Sequence, residues 1–315
     1  MEHACNTSNS FVLLGILEIE GSRFFYCVLC SLTYILTVFL SLTIAFVIWT
    51  EQSLHEPMYI LIGSLVLNGI FGSSAFVPKV MIDLLTRSNC ISRVGCFAQA
   101  FCIGVFPISE ISIFTMMAYD TYLAVCHPLR YSTLMTKETA LYLLVGFWIM
   151  NFFSVLAAIL LSARLPLCGT QISGLLCDNT GLVFLSCVDD SINYFYGTVL
   201  FSAYLSVCML LISYSYLQIA LVCHRLTSET YKRSVHTLVT HILNFSVFLV
   251  GVLFVFIRYR VGRKNSPLLS VLLALTTLVL PPVLNPLIYG VRTKKLNAKV
   301  LNRLKKLNKG TFTKF

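Results

Sequence analysis

Charge is what this sequence has least of. Of 315 residues only 11% are Asp, Glu, Lys or Arg, while 57% are hydrophobic; soluble domains carry about 25% charged and ~45–50% apolar residues. So few charges cannot cover the water-facing surface of a chain this long, and a mean hydropathy of +0.83 points the same way. A soluble globular fold is excluded, and the bilayer is the solvent. The sequence also lacks a Ser/Gly-rich linker, a low-complexity tract, an internal repeat and any insert of soluble-domain size. One compact membrane domain is left. Catalytic signatures are missing too: there is no nucleophile elbow and no HExxH, and the six histidines (His3, His55, His127, His224, His236, His241) make no metal-ligand set with carboxylates. No enzyme, cofactor or metal is expected.

What is present is a series of charge-free intervals: 24–50, 57–78, 94–119, 139–163, 191–223, 234–257 and 265–291, the third broken once by Glu110. Each has at least 22 residues, and about 20 apolar residues in a helix cross a hydrocarbon core of roughly 30 Å. Runs such as 200–212 and 245–257 are apolar nearly all round, whereas barrel strands alternate over ~10 residues. Lipid forbids unpaired backbone groups, so the spans are helices. The expected fold is an all-α membrane protein, a seven-transmembrane helix bundle with a short amphipathic eighth helix. An odd span count disfavours the paired inverted halves of many transporters, yet a seven-helix channel or transporter remains the alternative to a ligand-sensing receptor. Against it, Glu110 is nearly the only charge inside a span.

The net charge of +10 comes from 23 basic and 13 acidic residues, and nine of the basic ones follow Tyr289. This is a basic tail on an apolar body rather than a nucleic-acid surface. With the C-terminus cytoplasmic, that side collects 14 basic residues against nine; without the tail the loops read five against nine. The positive-inside rule therefore supports this orientation through the tail alone. Asn6-Thr7-Ser8 is a glycosylation acceptor, useful only on the outer side, and clustered loop cysteines suit an oxidising compartment. The first 23 residues lack a basic n-region, which predicts an uncleaved signal anchor in the first span. The resulting divisions are an extracellular N-terminus at 1–23, a membrane domain at 24–291 and a cytoplasmic amphipathic helix and basic tail at 292–315.

Several residues stand out on this background. Glu110 lies ten residues before Asp120, deep in hydrocarbon, where an ionisable group is expensive without a partner or a role. Asp120 itself falls at the membrane edge. Asn285-Pro286 sets an amide beside a proline that frees the carbonyl of Pro282, giving either a movable joint or a passive kink. Cys27, Cys30, Cys102, Cys126, Cys208 and Cys223 read as small buried hydrophobes. Cys96, Cys168, Cys177 and Cys187 form an even set on one face, and spacing leaves all three connectivities open. After Tyr289, Leu296, Val300, Leu304 and Leu307 recur among Lys294, Lys295, Lys299, Arg303, Lys305 and Lys306. That pattern makes an amphipathic surface helix with a basic face for anionic lipid.

The third span ends in Met116-Met117-Ala118-Tyr119-Asp120-Thr121-Tyr122-Leu123-Ala124-Val125-Cys126-His127-Pro128-Leu129-Arg130-Tyr131. This resembles the MAYDRYxAICxPLxY signature of odorant receptors, within the rhodopsin-like G-protein-coupled receptors, with Thr121 where the family carries Arg. Leu54 to Tyr59 resembles LHxPMY, Pro78-Lys79 the PKM that ends span two, and Ser213-Tyr214 the SY pair of span five. Arg233 to His241 is similar to KAxxTCxxH, keeping Thr237 and His241, and Pro282 to Tyr289 to PxLNPxIY. Six fragments in order, along nearly the whole chain, carry the resemblance.

The resemblance implies a plasma-membrane receptor whose partners are a small-molecule odorant, a cAMP-raising heterotrimeric G protein and anionic inner-leaflet lipid, with no nucleic acid. Counting outward from the motifs selects a ligand pocket of Ile103, Gly104, Pro107, Ile108, Thr198, Ser202, Val252, Phe256, Leu275 and Leu278, mostly apolar and suited to a neutral ligand. Asp120, Thr121, Tyr122, Tyr214, His241, Asn285, Pro286 and Tyr289 are the implied coupling and switch residues. The resemblance also pairs Cys96 with Cys177 and Cys168 with Cys187. In the family the span-three Glu shares a cation with a span-two Asp; this chain has Gly69 there, flanked by Asn68, so Glu110 is expected either to carry a proton or to bond to Asn68 or to a neighbour such as Ser112. Threonine at 121 supplies no guanidinium, which implies low basal signalling and inefficient coupling, or a relic that couples poorly. Asp120, without its adjacent cation, is expected to turn to Arg130, Lys137 or water.

Overall fold

The computed structural model describes residues 9–224, 228–261, 275–293 and 295–303. Helices fall on each predicted span, the seventh being described only from residue 275 onward: α1 (Arg23–Thr50), α2 (Pro57–Thr86), α3 (Arg93–Cys126), α4 (Lys137–Ala163), α5 (Ser191–Cys223), α6 (Ser228–Val261) and α7 (Leu280–Arg292). The chain enters α7 through a π-helical turn at Leu275–Val279, and a last helix, α8, covers 295–303. Helix starts follow local chemistry. Pro57 sits in the first turn of α2, where its missing N–H costs nothing. Ser92 caps α3 by accepting from Gly95 N, and Thr136 caps α4 by accepting from Thr139 N. Hydroxyls inside the spans turn back on their own helices: Thr37 donates to Thr33 O, Ser73 to Gly69 O and Thr115 to Ile111 O. Each satisfies a polar atom that lipid could not.

Burial identifies the centre of the bundle. In the most apolar stretch of α3, 67% of residues are buried, against 17% in α4 and 11% in α5. Apolar helices gain nothing from hydrophobicity against each other in lipid, so close packing and internal polar bonds hold them. Small residues allow that closeness. A Cβ at Gly72 would meet the Phe106 ring at 2.4 Å, and one at Gly69 would meet Pro282 Cα at 3.2 Å, so α2 lies directly against α3 and α7 at these points.

One feature departs from a purely helical expectation. Ser10–Leu13 (β1) pairs antiparallel with Cys90–Ser92 (β2) and parallel with Gln171–Ile172 (β3). Its Phe11 and Leu13 are buried in the same cluster as Cys96 and Phe106. Four residues are too few for periodicity to separate a strand from a loop, and both partners are remote in sequence.

Candidate functional site

The disulfide-bearing end of the bundle is closed by the loop between α4 and α5. Cys96 is bonded to Cys177 and Cys168 to Cys187, with Cα separations of 5.2 and 5.5 Å. Gln99 of α3 pins this loop further, accepting from Cys177 N at 2.8 Å while donating to Ala75 O of α2 at 3.0 Å. The loop encloses a cleft of about 450 Å³ lined by Gln171, Ser173, Asp178, Phe184 and Asp190, among others. The cysteines assigned to spans form no disulfide: Cys27, Cys30, Cys208 and Cys223 are buried, and Cys102 and Cys126 half-buried. Cys90, at β2, is disulfide-bonded as well.

Below the loop, the residues selected as a pocket divide. Ile103 and Ile108 are half-buried beside the upper cluster that contains Phe106 and Leu278. Val252 belongs to a second, lower cluster, with Phe201 packed against it, and Phe256 of α6 stacks on Phe201 of α5 at 4.5 Å. Pro107 and Ser202 are half-buried. Gly104 lies against α4, where a Cβ would meet Val155 Cγ1 at 2.8 Å, and the Thr198 hydroxyl donates to Tyr194 O of its own helix at 2.6 Å. The Leu275 side chain lies outside the described residues, as does Asn6.

The middle of the bundle holds a continuous polar core. Glu110 is fully buried, and its carboxylate accepts from Asn68 Nδ2 of α2 and Asn285 Nδ2 of α7, both at 2.6 Å. Asn244 of α6 donates to Asn285 Oδ1 at 2.7 Å, and a 3.1 Å hydrogen bond joins His241 Nδ1 to the Tyr289 hydroxyl. Four helices are thus tied together, with α6 bound to α7 twice. Asn68 is the partner the sequence suggested for Glu110, whereas Ser112 points elsewhere. Its hydroxyl bonds the Tyr204 hydroxyl of α5 and accepts from Asn151 Nδ2 of α4. Pro286 is buried inside α7 next to this core.

At the opposite end of the bundle, Asp120 is 2% exposed and accepts from the Tyr131 hydroxyl at 2.9 Å. This corrects the expectation of Arg130, Lys137 or water. Burial and the Asp120 carboxylate hold the Tyr131 phenol well above its usual range, which keeps it a donor. Thr121 is buried and turns its hydroxyl to Met117 O at 2.8 Å. Tyr122 carries the lateral contacts instead. Its hydroxyl is 3.0 Å from His127 Nε2, and its ring lies 5.9 Å from that of Tyr214, half of which is exposed.

A profile of the olfactory receptor family matches residues 29–307. The chain belongs to that family. It is 32% identical to human olfactory receptor 6N1 over 299 residues, covering 94% of this chain and 95% of the relative. It is 33% identical to human olfactory receptor 51L1 over 295 residues, with 93% and 94% covered. Among solved structures, squid rhodopsin superposes with a TM-score of 0.70 at 16% identity, covering 89% of this chain and 80% of that one. The fold is that of the seven-helix G-protein-coupled receptors, and family members are multi-pass membrane receptors rather than enzymes.

In this olfactory receptor the basic edge of α8 is engaged by protein. Lys295 donates to Glu56 at 2.6 Å, Lys299 to Glu51 at 2.9 Å, and Arg303 to Glu51 through Nε and Nη2 at 3.2 and 3.0 Å. Their spacing of four puts all three on one face. Three residues of the basic face expected to meet lipid thus bind carboxylates of the bundle as well; Lys294, Leu304, Lys305, Lys306 and Leu307 lie outside the described residues. The Lys299 and Arg303 bonds hold the Glu51 carboxyl below its usual range, and Glu56 holds the Lys295 ammonium above its own. Sequence reading of the receptor missed Gln99, Asn151, Phe201, Tyr204 and Asn244. A polar residue inside each apolar interval was the available signal for Gln99, Asn151 and Asn244. Nothing local distinguished Phe201 or Tyr204 from other aromatics.

Proposed function

We propose that this receptor binds a small, neutral, largely apolar molecule between α3, α5, α6 and α7, and responds by activating a cAMP-raising heterotrimeric G protein. The observation that carries the reading is the pair of α6–α7 bonds, Asn244–Asn285 and His241–Tyr289, lying below the stacked Phe201 and Phe256. A ligand that displaces Phe256 shifts α6 and thereby biases a discrete set of bonds, which is what a two-state switch requires. The apolar surroundings of Val252, Ile108 and Leu278 favour a ligand without charge. In this reading the N-terminus and the disulfide-bonded loop face outside, the protein works in the plasma membrane, and α8 lies at the inner leaflet, where basic residues not engaged by Glu51 and Glu56 meet anionic lipid.

A second reading, a receptor that binds its ligand but couples poorly, is favoured by the inward turn of Thr121. Expression with a cAMP reporter and an odorant panel distinguishes the readings. Agonist-dependent cAMP, with potency lowered by Phe256→Ala and Ser202→Ala at matched surface expression, supports the first. Saturable ligand binding without cAMP supports the second. Ligand-independent ion flux without cAMP would overturn both.

A further inference from the structure

The family resemblance implies a cation between Glu110 and a second carboxylate in span two, and the residues present can be tested for fit. A hard cation is held by oxygens. Around Glu110 the neighbours offer N–H groups instead, and each amide is fixed in that sense by a further partner. Asn68 Nδ2 donates both to Glu110 Oε2 and to Phe106 O at 3.1 Å. Asn285 Oδ1 is occupied by Asn244 Nδ2, which leaves Asn285 Nδ2 to face Glu110 Oε1. Turning either amide to present oxygen would sacrifice its second bond. The second carboxylate is also missing: position 69 is glycine, and the direction of its absent Cβ is filled by Pro282 Cα and Cβ at 3.2 and 3.3 Å. Asn68 Oδ1 is the one oxygen of Asn68 and Glu110 left without a partner. Among the described residues no cluster of three His, Cys, Asp or Glu exists to hold a metal ion. The set holds an anion and does not fit a cation.

We propose that this receptor has exchanged the cation for amide donors: Asn68 and Asn285 hold the Glu110 carboxylate directly, and sodium does not act on the bundle. Both carboxylate oxygens accept, so a proton on either would place an O–H against an N–H. Among the described residues no ion pair to Glu110 is formed; the titratable groups facing the core from α7 and α6 are Tyr289 and His241, bonded to each other. The space that a second carboxylate and its ion would need is used by the contact of α2 with α7 at Gly69 and Pro282. This inference rests on family membership and geometry, and its readout is stability, so it can fail without affecting the ligand and G-protein reading.

The test is thermal unfolding of the full chain in lipid nanodiscs across a sodium chloride titration, with ionic strength held constant by choline chloride. A cation at a hundred times its dissociation constant multiplies the folding equilibrium constant about a hundredfold, a rise of several degrees in midpoint. The expected result is superimposed midpoints in the two salts, and a midpoint for Glu110→Gln that is lower in both, because the glutamine NH2 faces an amide donor. A saturable, sodium-specific rise in the unmodified protein would overturn the proposal. So would a Glu110→Gln midpoint equal to or above that of the unmodified protein in choline chloride, since the amide clamp would then contribute nothing.

Discussion

Replacing Thr121 with Arg restores the group that this receptor lacks at its coupling end. The threonine is 7% exposed and its hydroxyl is bonded within its own helix to Met117 O, so the substitution gives up about 0.5–1.5 kcal/mol. The guanidinium reaches the membrane edge by extending along its stem. There it has two uses. It can pair with Asp120, which is 2% exposed and whose Oδ1 already accepts from Tyr131, but only by desolvating the guanidinium, a cost that offsets the attraction. Or it can extend towards Tyr214 and the G protein, staying solvated until the partner arrives, where a charge-assisted hydrogen bond is worth about 1.5–3 kcal/mol, roughly 10–150-fold in the coupled population. The measurement is agonist-stimulated nucleotide exchange on purified G protein, with equal amounts of unmodified and Thr121→Arg receptor in nanodiscs. We expect the agonist-driven increment to rise several-fold while basal exchange changes less. An unchanged increment would refute the reasoning, as would a fall in basal exchange with no gain on agonist, because the guanidinium would then act only as a resting latch on Asp120.

Three other outcomes follow from packing and charge. Gly72→Ala drives a Cβ into the Phe106 ring and should destabilise by about 1–3 kcal/mol; adding Phe106→Leu should recover part of this, and additivity within ~0.5 kcal/mol in an unfolding cycle would disprove the contact. Gly104→Leu should reduce folded, surface-expressed receptor by prising α3 from Val155 of α4, without the potency shift of Phe256→Ala; normal expression with weakened agonist binding would place Gly104 in the pocket. The Glu51 carboxyl is depressed by Lys299 and Arg303, so its contribution to docking α8 is complete above the unfolded carboxylate value of about 4.3 and is lost as pH falls through the lower, docked one. Hydrogen exchange of residues 295–303 should therefore accelerate only at acid pH, whereas Glu51→Gln should show that faster exchange at neutral pH; identical neutral-pH exchange would remove the clamp from the account.

The fold was legible because span length, scarcity of charge and motif order are properties of the chain read in one direction. The site was legible where a polar residue stood alone in an apolar interval. Glu110 announced itself, and Asn68 could be named as its partner because it flanks the position of the missing Asp. Asn244 could not be joined to Asn285 in this way, since the pairing depends on the rotation of α6 against α7 across 41 residues of sequence. Gly104 shows the same limit: counting turns fixes depth in the bundle but not azimuth, and the contact of this glycine with Val155 of α4 could not be read from its position in the chain. Lys295, Lys299 and Arg303 were read from their own helix alone, while the carboxylates that engage them belong to residues 51 and 56 at the other end of the chain.

The strand at Ser10–Leu13 sets an order of assembly. Its antiparallel partner lies some eighty residues downstream and its parallel partner some hundred and sixty, so a ribosome must complete four spans before the first strand has both neighbours. Until then Phe11 and Leu13 lack the part of their cluster that the loop supplies through Ile172, Leu175 and Cys177. Anything fused to the N-terminus is attached to a segment that waits for the fourth span before its sheet is complete. Cutting into 10–13 should leave the strand at 90–92 and the loop strand at 171–172 without the element that joins them, and trap the chain in quality control with its helices already inserted.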